Sequence, residues 1–145
     1  MLGFGKGKLE LTVSNLIPAF GEMISRTATM QLKDIQTAKG FFVELLAERR
    51  VTRRVNRNGR LENDTDTETV YRAPQQLGPE GQFGTQPYQF NFQFKVPMQS
   101  EIPGATAGGF WSTLSGVSRP EWFVVAKLDI PKGFDLSKKV KINVR

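Results

Sequence analysis

The side chains here that could do chemistry are carboxylates, lysines, arginines, tyrosines and serines, because the sequence contains neither cysteine nor histidine. Without cysteine there are no disulfides, thiolate metal sites, cysteine nucleophiles or thiol redox steps. Without histidine as well, the usual zinc ligands and the Ser-His and Cys-His catalytic pairs are excluded, together with the side chain that normally titrates near neutrality. Carboxylate pairs remain, such as Asp64 with Asp66, but they alternate with threonines beside arginines, a poor setting for a proton donor. Gly3-Phe4-Gly5-Lys6-Gly7-Lys8 has the residue types of a phosphate loop. That loop requires G-x-x-x-x-G-K-[ST] between a strand and a helix, whereas Gly7-Lys8 runs into Leu9 and a strand. The expectation is a protein with no catalytic residue, no metal and no cofactor.

What stands out instead is charge. Arg49, Arg50, Arg53, Arg54, Arg57 and Arg60 crowd one stretch, and the 145-residue chain carries 20 Lys+Arg against 14 Asp+Glu, a net +6. Such a balance permits attraction to nucleic acid, acidic protein or an anionic membrane and chooses none of them.

These residues are positioned by strands. Apolar residues alternate at Leu9, Leu11 and Val13, which predicts a strand over Lys8 to Ser14. Asn15 to Gly21 breaks it, and Met23 to Leu32 resumes with Ile24, Ala28, Met30 and Leu32 on one parity, where Arg26 interrupts the pattern. A long hairpin follows, from about Lys39 to Arg57 and from Arg60 to about Gln76. Asn58-Gly59 between its arms supplies the positive φ angles of a type I′ turn. With those two as the loop, Val55 faces Glu62, Arg53 faces Asp64, Val51 faces Asp66 and Arg49 faces Glu68. Arg49 and Arg53 thereby gain acidic partners worth a few tenths to about 1 kcal/mol each. Arg50 faces Thr67 and Arg54 faces Asn63, so Arg50, Arg54 and Arg57 form the candidate anion-binding stripe.

After a Gly/Gln/Pro-rich connector, Tyr88, Phe90, Phe92, Phe94 and Val96 fall on one parity, with Gln89, Asn91 and Gln93 between them. Aromatic rows can stack nucleic-acid bases, but a phosphate-tracking strand would interleave Lys or Arg, so this row is expected to be core. Met98 to Pro120 reads as a long loop in which Phe110 and Trp111 are the only large apolar anchors, either tucked onto the fold or exposed as a partner-binding tip. Glu121 to Pro131 is near-continuously apolar, as for a central strand covered on both faces. Lys138 to Arg145 alternates, placing Lys139 and Lys141 outward as lysines of an edge strand and candidate partner contacts.

About seven strands with almost no helical periodicity imply an all-β fold, an immunoglobulin-like antiparallel β-sandwich forming one domain over 1–145. No apolar run approaches a membrane span and the N-terminus has no secretory h-region, so the expected location is cytoplasmic.

With the strands placed, the order of features resembles the arrestin-like superfamily, nearest to its bacterial and archaeal sporulation-control proteins. Ile17-Pro18-Ala19-Phe20-Gly21-Glu22 is similar to the family's Pro-x-x-Gly-Glu turn into the second strand, with Arg26 close to where a Gly is usual. Tyr88 to Phe92 leading to Pro97 and Pro103 resembles its aromatic strand. Trp122 to Ile130 followed by Lys138 to Val144 resembles the strand pair that closes an arrestin N-terminal domain. The resemblance implies a non-enzymatic adaptor or scaffold that binds protein partners through sheet edges and loops. Family members carry two tandem sandwiches, so one half is expected to pair with a copy of itself, as a homodimer, or with a partner domain. The alternative from charge alone is a basic surface module that binds nucleic acid or an acidic membrane.

Overall fold

The computed structural model describes residues 7–102, 119–133 and 135–145. Nine strands lie among them: β1 (Gly7–Leu11), β2 (Met23–Leu32), β3 (Gln36–Ala38), β4 (Phe41–Arg57), β5 (Arg60–Gly78), β6 (Gly81–Phe83), β7 (Tyr88–Lys95), β8 (Glu121–Leu128) and β9 (Leu136–Ile142). All pairings are antiparallel, in a three-stranded sheet β1-β2-β7, a two-stranded sheet β3-β6 and a four-stranded sheet β5-β4-β8-β9. The larger sheets face each other, with β1 against β9 on one flank and β7 against β5 on the other.

Period-two alternation builds this core, since every second side chain of a strand points to one face. Phe41, Val43, Leu45 and Ala47 of β4 are fully buried, as are Val124, Ala126 and Leu128 of β8. They meet Ile24, Ala28 and Met30 of β2 and the aromatic row of β7. Phe41 stacks on Phe90 across the sheets at 4.4 Å, and Tyr88 stacks on Phe90 in turn. The aromatic row is therefore core. No polar or charged residue among those described is fully buried.

The hairpin has the expected register. Asn58 and Gly59 both take positive φ, 54° and 79°, and the pairs Val55 with Glu62, Arg53 with Asp64, Val51 with Asp66 and Arg49 with Glu68 are all present. The register shifts by one residue between Ala47 and Glu48, where β5 carries the extra residue of a bulge.

Three expectations need correction. β3 and β6 were not evident in the sequence: each is three residues long, too short for alternation to register, and they pair only with each other. β8 is central in its sheet but is covered on one face only. Its residues alternate between buried and half-exposed, because the outer face of the four-stranded sheet has no third layer over it among the described residues. Finally, Ile102 is 4% exposed and joins the core, so Phe110 and Trp111 are not the only apolar anchors of their segment. Phe110, Trp111 and Pro103 lie outside the described residues, as does Lys6.

Candidate interaction face and sheet edges

The even-numbered residues of β4 share one face. In the body they are Phe42, Glu44, Leu46 and Glu48, all half-buried, and in the hairpin they are Arg50, Thr52, Arg54 and Asn56. The strand pairings bring Glu121, Phe123, Val125 and Lys127 of β8 and Lys139 and Lys141 of β9 onto this outer face, together with Arg72 and Pro74 of β5. Phe42, Leu46, Phe123 and Val125 thus form an apolar centre ringed by charges. Lys139 donates to Glu48 Oε1 at 3.0 Å while its Nζ stands 3.9 Å from the centre of the Phe123 ring. Arg72 pairs with Glu44, and Lys141 Nζ lies 3.9 Å from Glu121 Oε2. Exposed pairs of this kind are worth about 0–1 kcal/mol each, so they organise the surface more than they stabilise it.

The structure divides the candidate anion-binding stripe. Arg50 and Arg54 lie on the outer face in line with Lys139 and Lys141. Arg57 has the opposite parity and is held by two carboxylates, 2.8 Å from Asp64 Oδ2 and 3.5 Å from Glu62 Oε2. Arg49 on that second face pairs with Glu68. The reason is strand geometry: positions 50 and 54 differ by an even number and 57 does not. One face of the hairpin therefore carries all four acids, and the other carries Arg50 and Arg54 among threonines, asparagines and the exposed Leu61.

Beyond the Glu48–Glu121 pair, no described strand accompanies β4, and residues 49–57 and 60–68 continue as a two-stranded ribbon. From Asn56 to Thr69 only Asp64 is less than exposed. At about 3.3 Å per residue the ribbon reaches roughly 30 Å from the sandwich.

The edges differ in what they offer. β1 and β9, nominated from sequence, are both edge strands, and they lie on the same flank. The end of the last strand already has backbone partners there. Asn143 N–H donates to the Leu16 carbonyl at 2.8 Å and Arg145 N–H to the Pro18 carbonyl at 3.0 Å, while Phe20 N–H returns to the Arg145 carbonyl. By the alternation of an antiparallel ladder, the N–H groups of Lys139 and Lys141 point to the same open side. A cavity of about 450 Å³ opens at this end of the sandwich, lined in part by Phe20, Gln99, Trp122 and Asn143. Phe20 and Tyr71 both contact the Trp122 ring, at 6.2 and 5.7 Å. Burial, and secondarily the charge of Glu101, pushes the Tyr71 phenol above its ordinary value. Sequence reasoning missed this cluster, since Tyr71 sits in a polar run and its apolar surroundings come from three other segments.

Among the described residues no group of three or more acidic side chains could hold a metal ion, and no helix is long and apolar enough to cross a membrane.

Two facing antiparallel sheets in this strand order make the fold an arrestin-like β-sandwich. It is similar to the crystal structure of Spo0M, the sporulation control protein from Bacillus subtilis, with a TM-score of 0.63 and 21% sequence identity over 98% of this chain and 50% of that one. The chain thus spans half the length of that protein. No family model matches the sequence, and neither does any curated protein.

Proposed function

We propose that this chain is a non-catalytic interaction domain of arrestin-like fold, an adaptor or scaffold that binds protein partners through its sheet edges and loops, and that 1–145 acts as one unit. The observation that carries the reading is the β9 edge. Asn143 and Arg145, just beyond the end of the strand, have the segment 16–20 as a backbone partner, and ladder alternation directs the Lys139 and Lys141 N–H groups the same way. Strand addition supplies main-chain hydrogen bonds for affinity, while alternate side chains give selectivity. The absence of cysteine and histidine from the whole sequence supports binding rather than chemistry. Its structural neighbour is described as a control protein, a task that regulated binding can perform. Such a domain acts in the cytoplasm, on a separate protein or on a second copy.

The test is a variant with Lys139→Pro and Lys141→Pro, checked for folding by circular dichroism and a thermal melt. A partner isolated on the unaltered chain and then purified is expected to lose binding to the variant. Unchanged binding overturns the edge mechanism. Light scattering at low and moderate salt separates the two kinds of partner: a dimer at both assigns the edge to a second copy, and a monomer assigns it to another protein.

A second reading is favoured by the composition of the outer face, where Arg50, Arg54, Arg72, Lys127, Lys139 and Lys141 stand against Glu44, Glu48 and Glu121. It makes that face a docking surface for nucleic acid or acidic lipid. Binding should then weaken steeply with salt, because neutralised phosphates release counterions. Salt-insensitive binding counts against it.

A further inference from the structure

We infer that the ribbon edge of β4, from about Arg50 to Arg57, is a docking strand for an extended acidic peptide that adds in line with β8. The inference rests on the reading of the domain as one that binds through sheet edges, and it names a different edge and the chemistry of its occupant.

The backbone places this edge. A two-residue turn makes Arg57 and Arg60 a hydrogen-bonded pair, so the odd residues of β4 direct their N–H and C=O groups to β5. The even residues Thr52, Arg54 and Asn56 therefore direct theirs to the other side. That side is where β8 lies in the body of the sheet, and among the described residues no strand pairs with β4 on that side beyond Glu48. A peptide strand there would extend the line of β8, antiparallel to β4, and convert a two-stranded ribbon into three. Isolated two-stranded ribbons are marginal in water, so the third strand also orders the ribbon that receives it.

Charge selects the occupant. Residues 49–57 of β4 contain five arginines and no acid, whereas Glu62, Asp64, Asp66 and Glu68 all lie on β5. The ribbon thus has one cationic and one acidic edge, and the cationic one continues the sheet. Like charges placed opposite each other in a ladder destabilise it, and opposite charges contribute, so a basic peptide is rejected and an acidic one accepted. The two faces divide the work. Arg57 and Arg49 are engaged by the acids of β5, whereas Arg54 stands opposite Asn63, with threonines at 52 and 65 beside it. Acidic side chains at every second peptide position would lie on this outer face beside Arg54, whereas the four acids of β5 lie on the opposite face.

The test is fluorescence anisotropy on the full chain, using a labelled ten-residue peptide in which Glu alternates with Val. Three comparison ligands are the same peptide with Gln for Glu, the same peptide N-methylated at alternate amides, and a ten-nucleotide oligo-dT. The expected result is saturable binding of the acidic peptide that falls by about tenfold or more both with Gln and with N-methylation. It should fall similarly in Thr52→Pro, which removes one open-edge donor without touching the ladder to β5. Hydrogen exchange on that variant checks that the ribbon still forms, and peptide-induced protection of residues 50–57 in the unaltered chain locates the site independently of any substitution. Equal binding of the N-methylated peptide overturns strand addition. Tighter binding of oligo-dT than of the peptide overturns the choice of occupant. Self-association abolished by Thr52→Pro does the same in favour of a second copy, whose acidic β5 edge would be the partner. Binding lost with Lys139→Pro and Lys141→Pro but kept with Thr52→Pro overturns this site while leaving the proposed function intact.

Discussion

At the scale of the residue, Arg26 carries the clearest consequence. It lies within β2 opposite Phe92 at φ 149°, a conformation L side chains rarely adopt, and it is exposed. Holding a non-glycine residue in such a region costs on the order of 1–3 kcal/mol, more than the roughly 0.5–1 kcal/mol that glycine loses in chain entropy. Arg26→Gly is therefore expected to raise stability by about 1 kcal/mol in a urea melt, and Thr27→Gly beside it to lower stability. Gly7 is the converse case. A Cβ there would collide with the Gln31 carbonyl oxygen and come within 2.7 Å of Leu32 Cα, at φ 152°. Tyr71 links a residue to pH. Its phenol titrates above 10 in the folded state because burial disfavours the phenolate, so the stability tied to the neutral form is complete below pH 10 and lost as pH rises through the higher folded value. Absorbance titration should show one tyrosine ionising late in the folded protein and normally in urea, and denaturation midpoints should fall above pH 10.

At the scale of the element, β4 is two structures in one strand. Its first half, Phe41 to Ala47, is clamped between β5 and β8 and buries every odd side chain. Its second half, from Arg49, pairs with β5 alone among the described residues and contributes no residue to the buried core. Stability should divide at the same point. Amides of residues 50–68 are expected to exchange by local opening, with free energies well below the global value, and those of Val43 to Ala47 only near it. Gly59→Ala tests the turn separately from packing, since a Cβ at Gly59 meets nothing within 4 Å but must adopt φ 79°. It should cost the ribbon about 1 kcal/mol by exchange and leave the melting of the sandwich nearly unchanged. The hairpin was the most legible element, because Asn-Gly fixes the loop and the loop fixes the register down to Glu48. The bulge beyond it was not legible, since it falls where β4 passes from pairing with both β5 and β8 to pairing with β5 among the described residues, a change no local pattern marks. Arginines along β4 also discourage its pairing with basic strands.

At the scale of the whole molecule, the core is the contact between two sheets, centred on Phe41 of one and Phe90 of the other. Phe41→Ala is expected to cost about 3–5 kcal/mol, a large part of the stability of a domain this size. Val125→Thr on the half-exposed outer face should stay within about 0.5 kcal/mol. Comparing the two by chemical denaturation checks that β8 is covered on one face only. The all-β class, the hairpin register, the alternating strands and the lack of thiol and imidazole side chains were all readable from the order of residues. Each of these depends on side-chain type and spacing along a few neighbouring residues. Long-range pairing was needed to set which face of β8 is open, that Arg50 and Arg54 share a face with Lys139 and Lys141, and that segment 16–20 lies along the end of the last strand. Those facts depend on which distant strands pair and in what register. Local pattern specifies what a strand buries. Pairing between strands far apart in the chain specifies which edges are left for another molecule.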